Sequence, residues 1–131
     1  MVCIGQSALA GSIVGWGRQV VDSTEFAQKN HIAFSAGGYH SLALRSDGSM
    51  VAWGRNYEGQ ATPPAGNNYI AIATGGWHSL ALRSDGSIVG WGWNDYGQAT
   101  TPNGSDFVAI AAGWFHSLAL KSDGSIVGWG S

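Results

Sequence analysis

Three histidine-serine pairs, His40-Ser41, His78-Ser79 and His116-Ser117, are each followed by an aspartate, at Asp47, Asp85 and Asp123. These are the residue types of a nucleophilic triad, in which an imidazole takes the proton of a serine hydroxyl lying within hydrogen-bond reach. Neighbouring residues on a strand point to opposite faces, so an adjacent His-Ser pair cannot share that proton. The aspartates all precede glycine and read as turn residues. A metal site needs several ligands to converge, and no repeat supplies a second ligand beside its histidine. "GWGRQV" (15–20) and "GWGWND" (90–95) lack the third glycine of a dinucleotide fingerprint, and the P-loop and G-x-S-x-G patterns are absent. The expectation is a protein that is not an enzyme and takes no cofactor or metal. His40, His78 and His116 are then structural, each imidazole bonding backbone at a junction between repeats.

The histidines are each 38 residues apart, and Trp53, Trp91 and Trp129 keep the same step. Residues 37–55 and 75–93 agree at 15 of 19 positions, as do 75–93 and 113–131. Such self-similarity is the signature of a repeat architecture. Within one unit, "YIAIATGG" (69–76) alternates Ile70 and Ile72 against Ala71 and Ala73, the period of a strand. "HSLALRS" (78–84) is a second strand, Asp85-Gly86 a hairpin, and "SIVGWG" (87–92) a third strand antiparallel to it. "WNDYGQATTPNGSD" (93–106) is a connection with room for a brief outer strand.

Large apolar residues are expected on one face of each sheet, and Ala, Gly and Ser on the other. Both faces are therefore buried, as in sheets stacked between neighbours, and Gly90 and Gly92 would let the Trp91 indole lie against the backbone of the adjacent sheet. Radially stacked antiparallel sheets make a β-propeller. Asp-Gly hairpins argue against a β-helix, and the Trp-Gly dipeptide and short period argue against WD-type blades of roughly 40–45 residues. The fold class is all-β, a propeller-like array of three- to four-stranded blades. The expected divisions are a degenerate blade remnant at 1–16, an irregular connection at 17–31, and repeats at 32–69, 70–107 and 108–131.

Twenty-one glycines and seven tryptophans, with few charged residues, fit a turn-rich β protein. A net charge of -2 gives no footprint for nucleic acid or an acidic membrane. Cys3 is the only cysteine and excludes a disulfide framework. The first seventeen residues show neither a basic n-region nor an apolar span, so the expected location is cytoplasmic. "NGS" (103–105) reads as a turn rather than a glycosylation acceptor.

"GGYHSLAL", "GGWHSLAL" and "GWFHSLAL", each followed by "VAWG" or "IVGWG", together with "YEGQATPP" and "DYGQATTP", resemble the repeats of the regulator of chromosome condensation family. The 38-residue period is similar to that of compact bacterial members, including the propeller-type β-lactamase inhibitory protein. The resemblance implies a seven-bladed ring and protein binding through one face. Three repeats do not close such a ring, so a homodimer of two half-rings is expected, with a fragment of a longer array as the other reading. The family's exchange-factor activity, which uses a wedge insertion, has no counterpart between these short units.

Two sets of residues are candidate contacts. Tyr39, Trp77, Trp114 and Phe115 sit at the turn entering the second strand and would either anchor a protein of unknown identity at the rim or cap the blade junctions. On the opposite connection, Asn56, Tyr57, Glu58, Trp93, Asn94, Asp95 and Tyr96 combine aromatic, amide and carboxylate groups suited to a sugar, as in a multivalent lectin, unless they are solvated turn residues.

Overall fold

The computed structural model describes residues 30–131. The expected blade remnant at 1–16, and all but the last two residues of the connection at 17–31, lie outside them. The described residues form nine strands: β1 (His31–Ala36), β2 (His40–Arg45), β3 (Met50–Gly54), β4 (Tyr69–Thr74), β5 (His78–Arg83), β6 (Ile88–Gly92), β7 (Phe107–Ala112), β8 (His116–Lys121) and β9 (Ile126–Gly130). They make three separate antiparallel sheets, β1-β2-β3, β4-β5-β6 and β7-β8-β9. Each sheet is one blade. The first strands of successive blades approach one another while the third strands do not, so β1, β4 and β7 gather at the centre and β3, β6 and β9 fan outward.

Three local features depart from simple alternation. The first strand of every blade carries a bulge, between Tyr69 and Ala71 in the second. The extra residue turns Ile70 outward and leaves Tyr69 and Ile72 together in the core, in place of the expected Ile70/Ile72 pairing. The two faces also mix sizes. Leu44 and Met50 of the first blade pack on Tyr69, Ile72, Ala81, Val89 and Trp91 of the second, and Leu82 and Ile88 pack likewise on Phe107, Ile110, Ala119, Val127 and Trp129 of the third. The alanine on the central strand is the hole into which the preceding blade inserts its leucine. Finally, the connection forms turns and no outer strand: Thr101 bonds the Ile88 carbonyl, and the Ala99 carbonyl, not an indole, occupies the space beside Gly90.

The Asp-Gly hairpins are three-residue turns with a glycine bulge rather than two-residue loops. The Gly86 amide donates to the Arg83 carbonyl and the Arg83 amide to the Ser87 carbonyl, with Gly86 at φ 87°. Asp85 accepts from both the amide and the hydroxyl of Ser87. Gly124 takes the same conformation in the third blade. The two differ only outside the turn: a side chain at Gly86 would meet the carbonyl of Ser105, whereas one at Gly124 meets nothing within 4 Å. Gly124→Ala should cost about 1–2 kcal/mol for its left-handed backbone. Gly86→Ala should cost more in urea denaturation, because the chain entering the third blade must also move.

Candidate binding face

His40 and His78 lie at the two described blade junctions and each meets a serine side chain of the next blade, while His116, on the third blade, is exposed. His40 Nε2 lies 2.7 Å from Ser79 Oγ in the next blade, and His78 Nε2 lies 2.9 Å from Ser117 Oγ. Sequence adjacency separates His from Ser within a blade, yet stacking brings the His of one blade to the Ser of the next. The resulting dyad is oriented against catalysis. Ser79 gives its only proton to the Gln60 carbonyl and Ser117 gives its own to the Gln98 carbonyl. Each serine must therefore accept from imidazole Nε2–H, so the histidine is the donor and not the base.

Gln60 and Gln98, fully buried, are the residues that the sequence reading left without a role. The Gln60 carbonyl also accepts the Trp91 indole at 3.0 Å, and the Gln98 carbonyl accepts that of Trp129 at 2.9 Å. Their side-chain oxygens take the amides of Glu58 and Tyr96, which closes the loop that carries them. Their common 38-residue step with the histidines was the available signal. No three His, Cys, Asp or Glu side chains gather as a metal site among the described residues. Burial, followed by the charge of the next histidine, lowers the His40 and His78 pKa values from 6.5 to about 4.

The two candidate surface sets do not lie on opposite sides. β3 runs antiparallel to β2, so it ends where β2 begins, and the connection leaves beside the aromatic tip: Arg55 N–H bonds the Tyr39 carbonyl and Trp93 N–H bonds that of Trp77. Tyr39 stacks on Trp77 at 5.2 Å, Trp77 on Phe115 at 5.6 Å, and Trp93 meets Trp77, Phe115 and Tyr96 edge-on. Arg55, missed by the sequence reading, lies over both Tyr39 and Tyr57. The result is one aromatic ledge running across three blades.

Trp114 stands where the other two repeats have Gly38 and Gly76. Its indole lies over both glycines, so a side chain at Gly76 would come within 2.8 Å of the ring and one at Gly38 within 3.2 Å. It walls an open groove of about 320 Å³ floored by the three glycine turns. Tyr57, Tyr96 and Trp114 are the most exposed of these aromatics. Asn56 and Asn94 are spent within their own loops, bonding Thr62 and Ala61, and Thr100 and Ala99. The Glu58 and Asp95 carboxylates take no part in those turn bonds.

The model of the "Regulator of chromosome condensation (RCC1) repeat" matches residues 32–60, 69–98 and 107–131, each match spanning one blade and, in the first two, its glutamine loop. The chain belongs to this family. Among solved structures, Prp20p of Saccharomyces cerevisiae is 26% identical with a TM-score of 0.69, over 79% of this chain and 31% of Prp20p. The ectodomain of the receptor kinase CR4 of Physcomitrella patens is 27% identical with a TM-score of 0.66, over 78% and 30%. The ectodomain of ACR4 of Arabidopsis thaliana, 24% identical with a TM-score of 0.69 over 92% and 42%, shares the fold. The chain thus spans less than half the length of each of these three relatives. Prp20p is described with binding properties to Gsp1p and histones, and yeast RCC1 (Prp20) is seen bound by Kap60. No helix among the described residues is long and apolar enough to cross a membrane.

The buried histidines make the stability of these RCC1 repeats pH-dependent. The folded state keeps His40 and His78 neutral down to about pH 4, whereas the unfolded chain takes up protons below about 6.5. Stability is fully present above pH 6.5 and is lost as pH falls towards 4, at a slope of at most about 1.4 kcal/mol per unit for each histidine. Chemical denaturation at pH 7, 6, 5 and 4 should show this decline, and the double variant His40→Gln/His78→Gln should flatten it.

Proposed function

We propose that this chain is a non-catalytic RCC1-repeat module that binds a protein through the aromatic ledge, and that a second copy completes its ring. The observation that carries the binding reading is the ledge itself: aromatic rings from three blades, with Trp114 half-exposed at its centre in a position that the repeat otherwise gives to glycine. Rigid aromatics with polar handles are the side chains that anchor protein interfaces. The partners of Prp20p, namely Gsp1p, histones and Kap60, support a protein as the ligand class. A net charge of -2 supports it over a polyanion. The donor role of the junction histidines supports a non-catalytic module, since no serine there has a base.

A carbohydrate reading rests on Tyr57, 83% exposed beside Glu58, and on Tyr96 beside Asp95. It has lost its amides to the turns. Affinity capture with the whole chain, followed by titration of the captured protein once purified, separates the two. Trp114→Ala and Phe115→Ala are expected to weaken that protein's binding by about 2 kcal/mol or more, roughly thirtyfold in Kd, with the strand circular dichroism unchanged. Undiminished binding by both variants, or glycan-array binding abolished by Tyr57→Ala and Tyr96→Ala, would overturn the protein-binding ledge.

A further inference from the structure

Four lysines and arginines lie among the described residues, and three of them repeat one position. Arg45, Arg83 and Lys121 end β2, β5 and β8 beside the Asp-Gly hairpins, and each is engaged there. The Arg45 guanidinium reaches the Ser49 hydroxyl, that of Arg83 reaches the Ser87 hydroxyl and lies over Tyr69, and Lys121 pairs with Asp106 at 3.6 Å. The fourth, Arg55, follows β3 at the other end of the strands, within the aromatic ledge. One repeat later the same position holds Trp93.

The two side chains occupy equivalent places. Trp93 meets the turn aromatic Trp77 and the loop aromatic Tyr96 of its own blade, and the Arg55 guanidinium lies over the turn aromatic Tyr39 at 5.2 Å and the loop aromatic Tyr57 at 4.8 Å. A cation thus stands where the next blade has an indole. Its backbone amide bonds the Tyr39 carbonyl, and Asn56 and Gln60 close its loop, so it rests on a fixed frame. Its side chain nevertheless makes no hydrogen bond or ion pair among the described residues, and Glu58, three residues on, is not joined to it. Nor does this exposure depend on where the array stops. Trp93 faces the following blade through Phe115, and the blade that follows Arg55 is likewise present, with Trp77 stacked on Tyr39.

We propose that Arg55 is the charged anchor of the ledge and takes a carboxylate of the protein partner, an aspartate or glutamate set beside an apolar side chain that lies on the neighbouring rings. This rests on the protein-binding ledge stated above and names what the partner must present. A guanidinium laid over aromatic faces is held by their attraction for its charge, which uses none of its N–H donors. Those donors lie in its own plane, where one carboxylate accepts two of them at once. A cation of the partner fits less well, because the first blade already covers its two rings with its own. Glu58 and Asp95, in the loops of the first and second blades, would repel a run of acidic residues, so the acceptor is a single carboxylate rather than a polyanion.

The test is selection of a random-peptide display library on the whole chain, followed by titration of the enriched peptides. These should carry Asp or Glu next to an aromatic or aliphatic residue, and Arg55→Gln, at an exposed position, should weaken them about tenfold or more in Kd. Arg55→Lys keeps the charge without the planar fork and should recover only part of that loss. Changing the peptide's carboxylate to its amide should weaken binding to the wild-type chain and have little further effect on Arg55→Gln, the non-additivity of a direct pair. Additive losses, enrichment of Lys and Arg instead, or full binding by Arg55→Gln overturn the anchor. So does a single-stranded oligonucleotide that binds the wild-type chain and not Arg55→Gln. In each of these cases the ledge itself still stands if Trp114→Ala weakens the selected peptides. Peptides indifferent to both Trp114→Ala and Arg55→Gln, or a selection that enriches none, overturn the ledge and the anchor together.

Discussion

The carbonyl of Gln60, and that of Gln98 one blade later, sets the spacing on which the array depends. It receives two donors from the next blade, the half-buried indole of Trp91 and the buried hydroxyl of Ser79, and that hydroxyl in turn accepts from His40 of the blade before. Three segments separated by tens of residues are thereby joined at one oxygen away from water. Leaving any of these groups unpaired would cost the desolvation of a buried polar group, on the order of 1–3 kcal/mol. Apolar packing between the blades tolerates small slips; this chain of hydrogen bonds does not. It ties the loop carrying Gln60 to a fixed length and so explains a period that holds at 38 without drift.

From this junction the position of the ledge follows by topology. A three-stranded meander enters its second strand and leaves its third at the same end. The glycine turn and the glutamine loop are therefore neighbours in every blade, and the loop anchored below by Gln60 or Gln98 presents Tyr57 or Tyr96 above, beside the aromatic of the turn. The groups that lock the blades and the groups that form the surface are consecutive residues of one loop. Rigidity at the junction is passed directly to the ledge, which lowers the entropy that a partner must remove on binding.

Much of the architecture was legible because it is periodic: the antiparallel strands, the Asp-Gly turns, the 38-residue unit and the family all follow from residues 32–131. What was hidden depends on contacts between repeats or on single-residue irregularities. The bulge after Tyr69 leaves no mark in a pattern of Ile and Ala that alternates perfectly well without it. The His40–Ser79 contact was excluded for the right reason within one strand and then restored by stacking, which adjacency in sequence does not encode. The placement of the two loop sets on opposite sides was an avoidable error, since the antiparallel order of the strands already brings the exit of β3 beside the entry of β2. Arg55 was passed over because a lone cation in a loop gives no pattern; its position between Tyr39 and Tyr57 shows only in space.

The variation at the turns is constrained by the same stacking. The three turns read Gly-Gly-Tyr, Gly-Gly-Trp and Gly-Trp-Phe, and the departure at Trp114 requires Gly38 and Gly76 to remain bare, because its indole lies across both. A tryptophan at Gly76 would contend with that of Trp114 for one space, so among the described blades only the last in the stagger can carry it. The three turns are therefore one unit: enlarging the aromatic surface in one repeat demands its absence in the two before it. This accounts for a binding face that is asymmetric on a scaffold that is nearly identical, blade for blade.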